Sequence, residues 1–313
     1  MLGKTAGGLY WMFRSLERAE NTARLLEAGF RIALTRSSDT ESEWKSVIVT
    51  SAAQAKFESK YGSYDSEKVS DFLLRDPDNL SSVYSSVKSA RENARLVRTA
   101  LTTEVWAAVN ETWIILTDIF KSPIPQTELP AVLATIRRQS ALVRGALHGT
   151  MLRNEIYDFC RIGTFVERVD NTARIIDVKY YALLPSPMLV GSRMDNKQWE
   201  TILRSVSAHR SFRWAVDDDV TAASVANFLI LDRRMPRSLT FGVSGLVSNL
   251  GYLAEEYGER LPCHEVANVL RARIIGRDIR SIFDEGLHEF LSSIILDTAN
   301  LGLQIEQDYR FNS

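Results

Sequence analysis

The sequence predicts an all-α protein, a multi-helix bundle of about 10–12 helices with an approximate internal two-fold repeat. Three observations carry this prediction. Leu16-Glu17-Arg18-Ala19-Glu20-Asn21-Thr22-Ala23-Arg24-Leu25-Leu26 returns as Val166-Glu167-Arg168-Val169-Asp170-Asn171-Thr172-Ala173-Arg174-Ile175-Ile176, with six positions identical and the other five exchanged for close physical relatives. Stretches of helical periodicity, separated by Pro, Gly and Ser punctuation, account for most of the remaining chain. With 313 residues, 45% of them hydrophobic, the chain can also bury one large core or two closely packed halves.

The first helix should run from about Gly8, after the flexible Gly3 and Gly7, to about Arg36, with Ser37-Ser38-Asp39-Thr40 as its stop and the next cap. It carries two stripes. Leu9, Met12, Leu16, Ala19, Ala23, Leu26 and Phe30 form an apolar one at steps of three and four, and Tyr10, Arg14, Glu17, Asn21, Arg24 and Arg31 form a polar one. A solvated polar face would be stabilised by Glu20 with Arg24, an i,i+4 pair worth about 0.3–0.5 kcal/mol. A wet face does not require particular side chains, however, and here Glu-Arg, Asn, Thr and Arg stand unchanged in both copies. Both stripes are therefore expected to be at least partly buried, with Glu and Arg meeting partners on other helices.

Residues 44–60 are amphipathic around Trp44, Val47, Ile48 and Phe57, and Gly62-Ser63 interrupts them. A helix from Ser66 to Leu74 should stop at Asp76-Pro77-Asp78-Asn79, with Asn79 capping a helical stretch from Leu80 to Ala100. There Arg91, Glu92 and Arg95 share enough of one face to answer Glu17 or Glu167 across an interface. They are not a third copy of the motif, because Asn93 and Arg95 are two apart where Asn21 and Arg24 are three apart. Thr102-Thr103-Glu104 opens a helix on which Trp106 and Asn110 are one turn apart, read as a core tryptophan beside a buried amide. Ser122-Pro123-Ile124-Pro125 either divides helical subdomains 1–122 and 127–313 or is an ordinary connection.

The next helix, from Thr127 to about Leu147, ends at His148-Gly149-Thr150. The second motif helix then runs from Met151 to Leu184, about 50 Å at 1.5 Å per residue, closed by Pro185-Ser186-Pro187. Its apolar stripe is Ile162, Val166, Val169, Ala173, Ile176 and Tyr180, and its polar stripe is Glu167, Asn171 and Arg174, with Asp170 and Arg174 as the second i,i+4 pair. A helix over 198–208 follows. Asp217-Asp218-Asp219 reads as a cap with first-turn acids for a helix holding Phe228, Leu229 and Leu231 rather than a magnesium site, since no second acidic motif accompanies it. Helices over 236–257, 262–284 and 286–307 complete the chain. At the first of them Arg234, Arg237 and Ser238 cluster about a helix start and could hold a carboxylate or phosphate, or form a solvated turn paired with nearby acids.

These motifs, together with Leu9-Tyr10-Trp11-Met12, Ser89-Ala90-Arg91-Glu92-Asn93-Ala94-Arg95, Trp106 with Asn110, Gly149-Thr150-Met151-Leu152-Arg153 and Arg234-Met235-Pro236-Arg237-Ser238, resemble the bacterial alpha-E domain family over almost the whole chain, which makes residues 1–313 one alpha-E domain. The resemblance implies an all-helical fold and a working context. Alpha-E proteins are encoded beside, or fused to, circularly permuted ATP-grasp amide ligases, with transglutaminase-like peptidases and a proteasome-related peptidase in the same neighbourhood. The expected function is thus an accessory or co-catalytic partner of such a ligase or transglutaminase-like protein, in peptide synthesis, tagging or processing.

Composition narrows the remaining classes. With 38 basic and 39 acidic side chains and no basic segment, nucleic acid and a membrane surface are not expected partners. No apolar run approaches the roughly 20 residues of a bilayer span, and a cytoplasmic location is expected. Cys160 and Cys263 lack any paired or metal-ligand spacing, and His148, His209, His264 and His288 are scattered, so neither a metal nor a cofactor is expected. Self-association stays open. Phosphate loops, nucleophile elbows and metalloprotease motifs are missing. The competing class is a stand-alone enzyme or anion-binding protein, with Glu17 or Glu167 as base and Arg14, Arg18, Asn21, Arg24, Arg91, Glu92, Arg95, Arg168, Asn171 and Arg174 forming a ligand site or a buried ionic network. A Glu-Arg pair is a poor acid/base couple, since Arg stays protonated and holds its carboxylate ionised.

Overall fold

A computed structural model describes residues 1–34, 40–182 and 193–312, and every element in it is helical. The helices are α1 (Gly3–Ala33), α2 (Thr40–Thr50), α3 (Gln54–Glu58), α4 (Ser66–Leu74), α5 (Val83–Leu96), α6 (Thr103–Ile119), α7 (Leu129–Thr150) and α8 (Glu155–Ala182). After them come α9 (Arg193–Ser205), α10 (His209–Ala215), α11 (Ala222–Leu231), α12 (Leu239–Tyr257), α13 (Pro262–Ile274), α14 (Ile279–Glu285) and α15 (Leu287–Asp308). The described residues hold more helices than expected because two stretches break. Ala52, at φ 56°, separates α2 from α3, and Gly276, at φ 88°, separates α13 from α14. The expected stop at Ser37–Asp39, the end of the second motif helix at Leu184 to Pro187, and the Tyr180 side chain lie outside the described residues.

Local chemistry sets five of the starts. Side chains of Asp65, Ser82, Thr102, Thr221 and Ser238 accept the N3 amide of α4, α5, α6, α11 and α12, each cap worth about 1 kcal/mol. Two expected caps are replaced. Asn79 instead folds back, its amide donating to the Phe72 carbonyl at 3.0 Å, and Ser82 caps α5. Asp217–Asp219 stay exposed ahead of Thr221, which does the capping. Gly3 and Gly7 are not a loose leader either. They lie inside α1, because Arg310 and Phe311 pack so closely there that a Cβ would collide with them. The second motif helix begins at Glu155 rather than Met151, since Met151 leaves α7 with an extended backbone.

α1 is the central element. It packs on α8, α5, α7, α2 and α9, while α12 and α15 cover the other sides of α8. Leu9, Met12, Ala23 and Leu26 are fully buried, but so are Tyr10 from the polar stripe and Glu20 at the border of the apolar one. The larger of these apolar side chains contribute about 1.5–3 kcal/mol each. The buried apolar residues form two clusters. One holds α1 up to Leu16, the later part of α7 and most of α8–α15; the other holds α1 from Ala19, α2–α4 and the start of α7. Because α1, α5, α6 and α7 run through both clusters, the core does not divide at 122–127, and Pro123–Pro125 is an ordinary α6–α7 connection. Between the clusters runs a polar seam: Glu17 on α1, Ser15 with Ser89 at 3.4 Å, and Thr112 donating to Gln139 at 3.4 Å.

Candidate functional site

The seam is where the two motif helices meet. Glu17 of α1 accepts Nε and Nη2 of Arg168 at 2.9 Å each. Glu167 of α8 accepts Nε of Arg18 at 2.6 Å and Nη2 at 2.8 Å. Each motif's acid therefore takes the other motif's base, fork to fork, the strong planar geometry of a guanidinium on a carboxylate. Acid and base adjacent in sequence project about 100° apart on a helix, so neither copy can satisfy itself.

Other helices close the network. Arg237, before α12, donates to Glu17 at 3.1 Å, to Asn21 Oδ1 at 3.0 Å and to Glu20 at 2.8 Å. Arg24 donates to Glu20 at 2.6 Å and to Ser207 Oγ at 2.6 Å. Arg144 of α7 also ion-pairs with Glu20, and Arg168 donates to the Pro236 carbonyl at 3.2 Å. Four guanidinium groups thus surround two carboxylates whose side chains are 2% and 0% exposed. On the α8 side, Arg14 donates to Glu167 at 3.0 Å and to the Tyr10 hydroxyl at 3.0 Å, with its guanidinium 4.7 Å from the Trp11 ring centroid. Arg174 pairs with Asp170 at 2.8 Å.

Burial pushes the Glu17 carboxyl up, but Arg168, Arg237 and Arg144 together outweigh it and hold it well below the usual carboxylate range. Glu167 is likewise pushed up by burial and pulled down further by Arg18 and Arg14, with the net shift downward. Glu20 also ends lowered, although burial and Glu17 oppose its three arginines. For Asp170 burial wins and the shift is upward. Burial lowers Arg237 to about 10, with Glu17 opposing, which still leaves it charged at neutral pH. The cavity that touches Glu17, lined also by Phe13, Leu16, Ser140, Val143, Arg144 and Thr164, has about 10 Å³ of free space. That is about one water at most. Glu17, ionised and enclosed by arginines, is not placed to take a proton from a substrate.

The structure sorts the expected residues. Arg14, Glu17, Arg18, Asn21, Arg24, Glu167, Arg168 and Arg174 belong to these contacts, and Asn171 sits half-buried on α8 beside them in sequence. Arg91, Glu92 and Arg95 do not answer either glutamate. Arg91 donates to Asn110 at 3.1 Å and lies over Trp113, while Glu92 and Arg95 are exposed, because this face of α5 turns toward α6 and solvent. Asn110 and Trp106 share their face as expected, the amide donating to the Trp106 carbonyl at 3.2 Å. The anion site imagined at Arg234, Arg237 and Ser238 is not assembled: Arg237 is consumed by Glu17 and Glu20, Arg234 is exposed near Asp232, and Ser238 caps α12.

Sequence reasoning missed Arg144 and the depth of Glu20. A signal for Arg144 did exist, since Ser140 and Arg144 interrupt the stripe of Ile136, Val143 and Leu147 on α7. It also missed Asp177, His288 and Ser292, where His288 Nδ1 is 2.6 Å from Asp177 and Ser292 Oγ is 3.3 Å from Nε2. Ser292 lies inside α15, whose neighbouring backbone amides are committed to the helix, so no oxyanion hole accompanies this line. Cys160 and Cys263 are both buried thiols. Among the described residues, no group of three or more His, Cys, Asp or Glu is arranged to hold a metal ion.

A reciprocal Glu-Arg exchange that organises an all-helical chain is the feature that comparison with known families tests. The model of the Alpha-E family, described as "A predicted alpha-helical domain with a conserved ER motif", matches residues 1–309. The chain belongs to the Alpha-E family. In this Alpha-E chain the two Glu-Arg pairs are Glu17-Arg18 and Glu167-Arg168. An uncharacterized protein of Mycobacterium bovis and one of Mycobacterium tuberculosis are each 25% identical to it over 316 residues, covering 92% of this chain. The chain spans about a third of the length of these curated relatives, 34% of each. No solved structure matches it. No helix among the described residues is long and apolar enough to cross a membrane.

Proposed function

We propose that this Alpha-E protein is a non-catalytic partner of a circularly permuted ATP-grasp amide ligase, in a system that includes a transglutaminase-like peptidase and a proteasome-related peptidase and makes, tags or processes peptides. One observation carries the non-catalytic half of the reading: Glu17 and Glu167 are each gripped by a bidentate arginine and held ionised, Glu17 beside almost no free volume. Their role is architectural, fixing the register of α1 on α8. The ligase half rests on the family's working context, with support from the mycobacterial relatives, in which the matched region is a third of a longer polypeptide. On the same ground the protein works in the cytoplasm. The reciprocal ion pairs also support descent of the two motif helices from one duplicated element about a local two-fold axis.

The experiment is reconstitution. The purified chain is mixed with its neighbouring ligase, ATP and candidate amino acids. Co-elution and a ligase rate that rises with added Alpha-E protein are expected. Two well-folded proteins that neither associate nor alter one another's turnover would reject the reading.

A further inference from the structure

Outside the seam, positive charge collects where α7 hands over to α8, and among the described residues no carboxylate lies within ion-pair distance of Arg153 or Arg161. Arg161, half-buried on α8, has its Nη1 3.2 Å from His148 Nε2 and its guanidinium 4.3 Å from the Phe165 ring centroid. Arg153, exposed in the connection, donates to the His148 carbonyl at 2.7 Å and to the Met151 carbonyl at 3.2 Å, and lies 4.0 Å over the Tyr157 ring. Neither has an acidic side chain within ion-pair distance among the described residues, whereas Arg144 and Arg168, just behind them, are already committed to Glu20 and Glu17. A half-buried guanidinium directed at a neutral imidazole is an incomplete arrangement, because desolvating a cation is costly without an anion to meet it.

The hydrogen-bond roles are compatible with a ligand. With Arg161 donating to Nε2, the imidazole proton sits on Nδ1 and points to the Tyr157 hydroxyl 2.8 Å away, which leaves the hydroxyl's own proton to donate outward. Burial, together with Arg161, Arg153, Arg144 and Arg168, lowers His148 to about 4. His148 and Arg153 are exposed, so the place can be reached.

We infer that Arg153, Arg161, His148 and Tyr157 form a binding site for a phosphate group. Two guanidinium groups and a hydroxyl donate to a tetrahedral oxyanion, with the neighbouring ring holding Arg161 and Tyr157 in place. Phosphate is favoured over a carboxylate because the cluster's two guanidiniums supply two positive charges, which a dianion answers and a monoanion does not. The shared chemistry admits a free phosphate ion or the head of a phosphomonoester. This inference stands independently of the ligase partnership, since it uses none of that proposal's premises.

The test is a titration of the full chain with sodium phosphate, glycerol 3-phosphate and, at matched ionic strength, sodium acetate. It is followed by NMR of the four histidine imidazoles, with His148→Gln assigning the resonance. A saturable shift of the His148 signal is expected with phosphate, with the monoester, or with both, and it identifies which source the site takes. Arg161→Gln and the exposed Arg153→Gln should each weaken it at least tenfold, while Arg138→Gln, on an exposed part of α7, should leave it unchanged. No saturation with either phosphate, acetate performing as well as phosphate, or a shift that survives both Arg153→Gln and Arg161→Gln would overturn the site.

Discussion

Arg168 of α8 holds Glu17 of α1 by two parallel hydrogen bonds of 2.9 Å, across 151 residues of sequence and with both side chains almost fully buried. Among the described residues Arg168 makes no other ion pair, and Glu17 is the carboxylate on which Arg168, Arg237 and Arg144 converge. Glu17→Ala should therefore destabilise the fold by about 3–5 kcal/mol, chiefly through the unpaired guanidiniums it leaves. Arg168→Ala should fall in the same range, and Arg18→Ala should cost clearly less, since Arg18 is 28% exposed and Arg14 still serves Glu167. Urea unfolding of the three variants checks the ranking; equal losses at Arg18 and Arg168 would contradict it.

Acid should unfold the protein through the seam. Glu17, Glu20 and Glu167 have folded pKa values below their unfolded ones. Their stabilisation is then complete above the unfolded value of about 4.3 and is lost as pH falls below it. Unfolding free energy measured from pH 7 to pH 3 should drop steeply below about pH 4.3, and Glu17→Gln should flatten that slope.

Asp158 carries the opposite sign. Burial, and then Glu256, raises its carboxyl to about 6, so the folded protein prefers it protonated. Its contribution is fully present below the unfolded value of about 3.9 and fades as pH rises through 6. Asp158→Asn should therefore stabilise at pH 7 and make no difference below about pH 4. Paired melting curves at the two pH values measure this.

Gly163 and Gly145 should respond oppositely to alanine. A Cβ on Gly163 would collide with the Tyr10 carbonyl where α8 crosses α1, whereas nothing stands within 4 Å of one on Gly145. Alanine is the better helix former by about 1 kcal/mol, which Gly145→Ala should gain on exposed α7. At Gly163 the overpacking cost of about 1–3 kcal/mol should exceed it, and separating α1 from α8 loosens both reciprocal ion pairs. A higher melting temperature for Gly145→Ala and a lower one for Gly163→Ala are expected.

Much of this was legible in the residues. The 3.6-residue period placed α1 and α8, and the unchanged Glu, Arg, Asn and Thr of both copies pointed to a buried ionic face. Periodicity describes one helix, though, not its neighbour. It could offer Arg91 and Arg95 as partners as readily as Arg144, and it had no means of pairing Glu17 with Arg168 in preference to Arg18. Gly3 and Gly7 read as a loose leader because their reason for being small, the Arg310 backbone and the Phe311 side chain, lies about 300 residues away in sequence. Breaks such as the one at Gly276 depend on a single backbone angle that composition does not fix.

The crossed pairing also imposes a schedule on biosynthesis. A chain leaving the ribosome presents Glu17 long before Arg168 exists, and a separation of 151 residues takes about eight to thirty seconds to synthesise at typical speeds. Throughout that interval the charged edge of the first helix must stay hydrated, so half the protein is obliged to wait, unsettled, for the other half to arrive.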